Sequence, residues 1–163
     1  MSTPSFSREL SMKSLDVKAL KILMRSGRAT WAELGQLLGL SAPSAADRVR
    51  KLEQRGVIRG YAALIDPTSV GYPLTAYISV SLASHRNRAA FLRAIAKMEQ
   101  VAECHHVAGD DDYLLKVHCR GTQGLDQLLA KELKDKLGVA RTRTTIVLST
   151  AKESVHIPID AAD

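Results

Sequence analysis

Residues Thr30 to Gln54 fit two short helices with a tight joint at Leu38-Gly39-Leu40-Ser41, and this joint restricts the fold more than any other segment. Thr30 followed by Glu33 is a capping box, in which the Thr hydroxyl takes the third helical amide and the Glu carboxylate returns to the cap amide. The helix begun there carries Leu34, Leu37 and Leu38 at the spacing of a buried stripe, and Gly39 stands where a left-handed residue closes a helix. Ser41 can cap the next helix. Pro43 lies in its first turn, where the missing donor costs nothing, and Gly56 follows its end near Gln54. Helices joined in this way set the second one up to enter a DNA major groove.

With side chains advancing roughly 100° per residue, Ala42, Ala45, Val49 and Leu52 gather on one side of the second helix. Pro43, Asp47, Arg50, Lys51 and Gln54 fall on the other, with Ser44 and Arg48 at the flanks. A small apolar face seats closely on neighbouring helices, while the outer face offers cations to phosphates and polar groups to base edges. The candidate DNA contacts are therefore Ser41, Pro43 and Ser44 at the helix start, Asp47 for selectivity, and Arg48, Arg50 and Lys51 for phosphates or guanine edges. Arg48, on the flank, could equally pair with Glu53 or Asp47. An ordinary amphipathic helix with a solvated charged face gives the same pattern, so the decision passes to the charge distribution.

Residues 1 to 65 contain eleven Lys or Arg against five Asp or Glu, a net +6, whereas the other 98 residues hold twelve of each sign. All the formal net charge lies with the helix pair. That is expected where Lys and Arg displace counterions from a nucleic acid. A membrane surface also attracts cations, yet no stretch approaches ~18 consecutive apolar residues and the basic segment lacks a broad apolar face.

The rest of the chain reads as a second folding unit. Leu15 to Ser26, with Leu15, Ala19, Leu20, Leu23 and Met24, supplies a helix ahead of the pair, and Met1 to Ser11 reads as a loose tail. Val57 to Ile65 is β-prone, which suggests a winged or strand-extended helix-turn-helix. Beyond a linker, strands are expected over Thr75–Leu82, Val101–Val107, Asp112–Cys119 and Arg141–Thr150, with helices over Arg86–Met98 and Gly121–Leu137. The fold class is α+β: a helix-turn-helix followed by a βαββαβ, ferredoxin-like domain. The divisions are a tail over 1–13, a DNA-binding domain over 14–65, a linker over 66–74 and a second domain over 75–163. One face of such a sheet stays open and suits a two-fold dimer, which would also space two recognition helices for a palindromic site.

Cys104, His105, His106, His118 and Cys119 lie on adjacent expected strands, but their spacing matches no recognised metal motif, and two cysteines make no disulfide framework. No metal or cofactor is expected, and a reducing, cytoplasmic setting follows from the cysteine usage. Neither a phosphate-cradling Gly-rich loop nor a nucleophile elbow occurs, so an enzyme is not expected.

The run Leu15-Asp16, Gly27-Arg28, Glu33-Leu34, Leu40-Ser41, Arg48-Val49-Arg50-Lys51-Leu52-Glu53 and Gly56-Val57-Ile58 resembles the helix-turn-helix of the Lrp/AsnC family. Gly109, Asp112-Tyr113-Leu114-Leu115, Gly138-Val139, Arg141-Thr142 and Thr144 resemble the motifs of that family's ligand-responsive domain, in the same order. The resemblance implies a prokaryotic, nucleoid-associated transcription regulator that binds double-stranded DNA and forms a homodimer or a higher homo-oligomer such as an octamer. It also implies a small effector, usually an amino acid, at the contacts between dimers. By position the effector residues would be Gly109, Asp110, Asp112, Tyr113, Thr142 and Thr144. Mutual repulsion among Asp110, Asp111 and Asp112 could favour a cationic effector or a metal ion, although a plain acidic turn would also tolerate them. The alternative function is an amino-acid-sensing subunit that regulates an enzyme partner rather than DNA.

Overall fold

The computed structural model describes residues 12–160, so most of the expected tail lies outside the described residues. Contacts divide the described residues into two units, one formed by 12–63 together with 152–160, the other by Leu64–Ala151. Residues 152–160 pack with the first unit. There the His156 Nε2 donates to the Met24 carbonyl at 2.7 Å, satisfying an oxygen of the last turn of the first helix that has no intrahelical partner.

Three helices build the first unit: α1 (Ser14–Arg25), α2 (Trp31–Leu38) and α3 (Ala42–Gln54). The capping box is formed in both directions, with Glu33 N donating to Thr30 Oγ1 at 3.2 Å and Thr30 N donating to Glu33 Oε2 at 2.7 Å. Gly39 closes α2 at φ 68°, and Leu40 N donates back to the Gly35 carbonyl at 2.8 Å. Ser41 caps α3 through its Oγ, which accepts from Ser44 N at 3.3 Å. Ala19, Leu23, Leu34, Leu38, Ala45 and Val49 form the buried core, as the helical spacing requires. Leu37 departs from the expected stripe and is 64% exposed. The buried side of α2 is made of Leu34, Gly35 and Leu38, which turns it toward position 35 and away from Leu37.

Gly35 was not singled out from the sequence, yet the joint needs it. A Cβ built there would meet the Leu40 carbonyl oxygen at 2.7 Å and Ala42 N at 3.2 Å, both backbone atoms held by the turn. The expected strand over Val57–Ile65 does not form, since this segment has no ladder partner among the described residues. It is anchored instead where the Tyr61 hydroxyl donates to Glu53 Oε1 at 3.0 Å; burial first, then the Glu53 carboxylate, pushes the Tyr61 hydroxyl up to about 12.

In the second unit, β1 (Leu74–Leu82), α4 (Arg88–Ile95), β2 (Val101–His106), β3 (Tyr113–Cys119), α5 (Thr122–Gln127) and β4 (Val139–Ile146) follow in the expected βαββαβ sequence. The sheet order is β2-β3-β1-β4, and every neighbouring pair is antiparallel. Ala76, Ile78 and Val80 of β1, with Tyr113, Leu115 and Val117 of β3, bury one face under Phe91, Ile95, Leu125, Leu128 and Leu133. The helix after α5 widens over Leu128–Lys136 into π-helical turns while keeping Leu128 and Leu133 buried. Strand β4 starts two residues earlier than expected because the left-handed Gly138, at φ 63°, releases the chain into it. It ends at Ile146, where its register with β1 runs out.

Replacing Gly35 by Ala forces two backbone atoms of the joint to move, at about 1–3 kcal/mol for overpacking without room to relax. The G35A chain should show an earlier urea midpoint by far-UV circular dichroism. A midpoint equal to that of the parent would mean the joint has slack that the 2.7 Å approach denies.

Candidate nucleic-acid interface and effector pocket

Ala45, Val49 and Leu52 form the buried inner side of α3, so its opposite side stays available. On that side Arg50, Lys51 and Asp47 keep 63%, 68% and 51% of their side-chain surface exposed. Asp47 accepts from Lys51 Nζ at 2.7 Å and lies 3.8 Å from Arg50 Nη1. The hydrogen bond from Lys51, then its charge, hold the Asp47 carboxyl below the usual carboxylate range. Pro43 and Ser44 are exposed in the first turn, with Ser41 Oγ donating to Ser44 Oγ at 2.9 Å. Pro43, Ser44, Asp47, Arg50 and Lys51 thus share one presented surface, with Ser41 at its edge.

Arg48 is placed differently. Its guanidinium bonds the Asp16 carboxylate of α1, thirty-two residues earlier, and Arg55 Nη1 approaches the same carboxylate at 3.9 Å. The Asp16 side chain is 9% exposed and that of Arg48 25%, and the Arg48 Nε is buried without a partner. Neither Glu53 nor Asp47, the partners considered from the sequence, is the one used. A local pattern shows only residues on the same helix, whereas the actual partner lies across the core. Arg48 therefore ties α3 to α1.

Strand alternation sorts the expected effector residues. Gly109 and Asp110 line a pocket of about 310 Å³ together with Ser79, Val107, Asp111 and Arg143. Asp112 is engaged elsewhere, its Oδ2 accepting from Leu82 N at 2.7 Å where the β1–β4 register shifts. Tyr113 lies in the core, 2% exposed, its ring 4.9 Å from that of Phe91. Thr142 and Thr144 stand opposite the buried Val80 and Ile78, and so share the helix-covered face rather than the pocket face. Arg141 and Arg143, opposite Ser81 and Ser79, take the open face.

The residue that organises this place is Asp111, which the sequence marks only as one of three neighbouring turn carboxylates and not as an effector residue. Its side chain is 8% exposed and accepts from Ser81 Oγ at 2.8 Å, Arg141 Nη2 at 3.2 Å and Arg143 Nη2 at 3.1 Å. The Ser81 hydrogen bond, then the charges of Arg143 and Arg141, hold its carboxyl below the usual range. Two arginines at alternate positions of one strand, beside an acidic turn, were the available signal. With Asp111 matched by two cations and Asp112 by a backbone amide, the repulsion invoked for a cationic effector is largely relieved.

The same alternation separates the cysteines and histidines. Cys104 and His106 pair with Leu115 and Tyr113 on the covered face, while His105 pairs with Leu114 and His118 with Thr75 on the open one. Among the described residues no group of three is placed to hold a metal ion. Burial raises both the Cys104 and the Cys119 thiol.

A basic helix-turn-helix joined to a four-stranded α+β unit with a pocket on its open face is the build of a two-domain transcription regulator. Residues 12–59 match a winged helix-turn-helix DNA-binding model, and residues 75–157 match the Lrp/AsnC ligand binding domain. The leucine-responsive regulatory protein of Escherichia coli K12 is 36% identical over 151 residues, spanning 89% of this chain and 90% of that protein. Among solved structures, a Neisseria meningitidis transcriptional regulator in complex with L-Met aligns at a TM-score of 0.86 and 30% identity, over 90% of this chain and 96% of that one. The feast or famine regulatory protein of M. tuberculosis, complexed with L-methionine, aligns at 0.79 and 36% identity, over 88% and 97%. The chain belongs to the Lrp/AsnC family of transcriptional regulators.

Removing either member of the Asp16–Arg48 pair strands a largely buried charge, so Asp16→Ala and Arg48→Ala should each cost about 2–3 kcal/mol. Arg50→Ala, on the exposed surface, should stay within about 0.5 kcal/mol. Urea melts of the three variants check the contrast, which fails if Arg48→Ala matches Arg50→Ala. For Asp111, a depressed folded pKa means stabilisation that is present above the unfolded value and lost on acidification through the folded one. The thermal midpoint should therefore fall below about pH 4, and Asp111→Asn should flatten that part of the profile.

Proposed function

We propose that the chain reads double-stranded DNA with the outer face of α3 and that an amino acid bound at the Asp111 pocket modulates this reading. The observation that carries the DNA assignment is the net +6 of residues 1–65 on a helix-turn-helix whose α3 exposes Arg50, Lys51 and Asp47. In this reading Pro43, Ser44 and Asp47 approach base edges, Ser41 and Lys51 take phosphates, and Arg50 serves either. Arg48 acts through position, since its charge is committed to Asp16.

The pocket chemistry suits a zwitterion. Asp110 offers a carboxylate to an α-amino group, Arg143 offers a guanidinium to an α-carboxylate, and Val107 and Leu114 provide an apolar wall. Its volume lies at the small end of the roughly 300–1,000 Å³ range of ligand sites. Two of the solved relatives hold methionine, and an amino acid with an apolar side chain fits this wall better than lysine or arginine.

Assembly as a homodimer, extended to a higher homo-oligomer, accounts for apolar residues that one chain leaves outside. Leu64 is 78% exposed and Ile65 64%, both in the β-prone segment that has no ladder partner among the described residues. On the open sheet face, Tyr77 is 37% exposed. A regulator of this kind works in the cytoplasm on the nucleoid, by binding rather than by catalysis.

Electrophoretic mobility shifts with the fragment upstream of the protein's own gene should show binding above random competitor at moderate salt; its absence would hand the assignment to an enzyme-regulating sensor. A thermal-shift screen of the twenty amino acids should raise the midpoint most for apolar side chains, and Arg143→Ala should remove the rise. No shift with any of the twenty, together with unchanged DNA affinity, would retire the effector.

A further inference from the structure

Beside the presented face of α3 runs a groove of about 740 Å³, bounded by the start of α1 and the flank of α3. We infer that this groove is a seat for backbone phosphates of DNA, held by Lys13 and Arg55 in addition to Lys51. The inference rests on the DNA-reading assignment above and adds two residues that lie outside the recognition surface described there.

Four cations, Lys13, Arg48, Lys51 and Arg55, line the groove against two carboxylates, Asp16 and Asp47. Both carboxylates are already answered: Asp16 by Arg48 with Arg55 at 3.9 Å, and Asp47 by Lys51 at 2.7 Å with Arg50 at 3.8 Å. The groove therefore carries an excess of donors over acceptors. Leu40, Pro43 and Leu52 form apolar walls, which strengthen the field of the cations between them. Asp16 also holds Arg48 in place, so the Arg55 side chain, 43% exposed, keeps donors free toward the open side.

The dimensions agree with a phosphate track. From Ser44 to Arg55 the helix rises roughly 16 Å at its usual pitch, and one DNA strand places a charge about every 3.4 Å of axis. More than one phosphate can therefore lie along the flank while the first turn of α3 addresses bases. Lys13, at the head of α1 and outside the helix-turn-helix itself, adds a cation on the groove side facing the flank of α3.

The test compares Lys13→Gln, Arg55→Gln and the parent chain on two duplexes, the fragment upstream of the gene and a random-sequence duplex of equal length, titrated by fluorescence anisotropy over a salt series. Each substitution should lower the slope of log K against log salt by about 0.9 per protomer engaged on the duplex and weaken both duplexes alike, leaving their affinity ratio unchanged. Lys13 lies outside the buried core, so its variant keeps the test valid even if Arg55→Gln loosens the fold. Parental slopes in both variants overturn the phosphate seat while leaving DNA reading intact. A loss confined to the gene fragment overturns it as well, because phosphate contacts are blind to sequence. If the parent chain binds neither duplex, the DNA-reading assignment fails first, and the seat with it.

Discussion

The contact between Asp16 and Arg48 holds the DNA-reading half of this protein in one geometry. A buried carboxylate is tolerable only with a partner, and here the partner comes from the middle of α3. The apolar seat of α3 is made of Ala45, Val49 and Leu52, which set how deeply the helix packs. The charged bond from Arg48 to Asp16 adds a directional tie to α1. The side of α3 that carries Asp47, Arg50 and Lys51 is thereby aimed, and the groove on its flank is bounded, by a residue that has no need to meet DNA.

A comparable device operates in the second unit. Asp111 draws Ser81, Arg141 and Arg143 together across the open face, and Asp112 stitches the turn to the irregular point of β1 through Leu82 N. Between them they brace a pocket on one sheet face while Tyr113, Thr142 and Thr144 support the other. In both units, then, a carboxylate from a local turn or helix start fixes a cation from a distant element. The two sites differ in what remains free: excess cations beside α3, and one carboxylate with one shareable guanidinium in the pocket.

Much of the fold was legible because it rests on local periodicity. Thr30 with Glu33, Gly39, Ser41 and Pro43 mark helix ends through their own backbone and side-chain chemistry, and each takes the role assigned. The βαββαβ order followed from alternating periods of apolar residues. The β-prone stretch Val57–Ile65 forms no strand among the described residues, since β propensity supplies no partner and a strand exists only as half of a ladder. Leu37 was misplaced since helical spacing marks a stripe without giving its width.

The sequence by itself determined the joint, the segregation of charge onto the first half of the chain, and the order of elements, because these depend on neighbours within a few residues or on composition. Only the tertiary structure decided that Arg48 positions α3, that Gly35 admits the Leu40 carbonyl, and that Asp111 rather than Asp112 organises the pocket. The physical reason is common to all three. Ion pairs, close approaches and shared sheet faces are relations between distant residues, set by register and packing, and a local pattern holds no record of which partner is met.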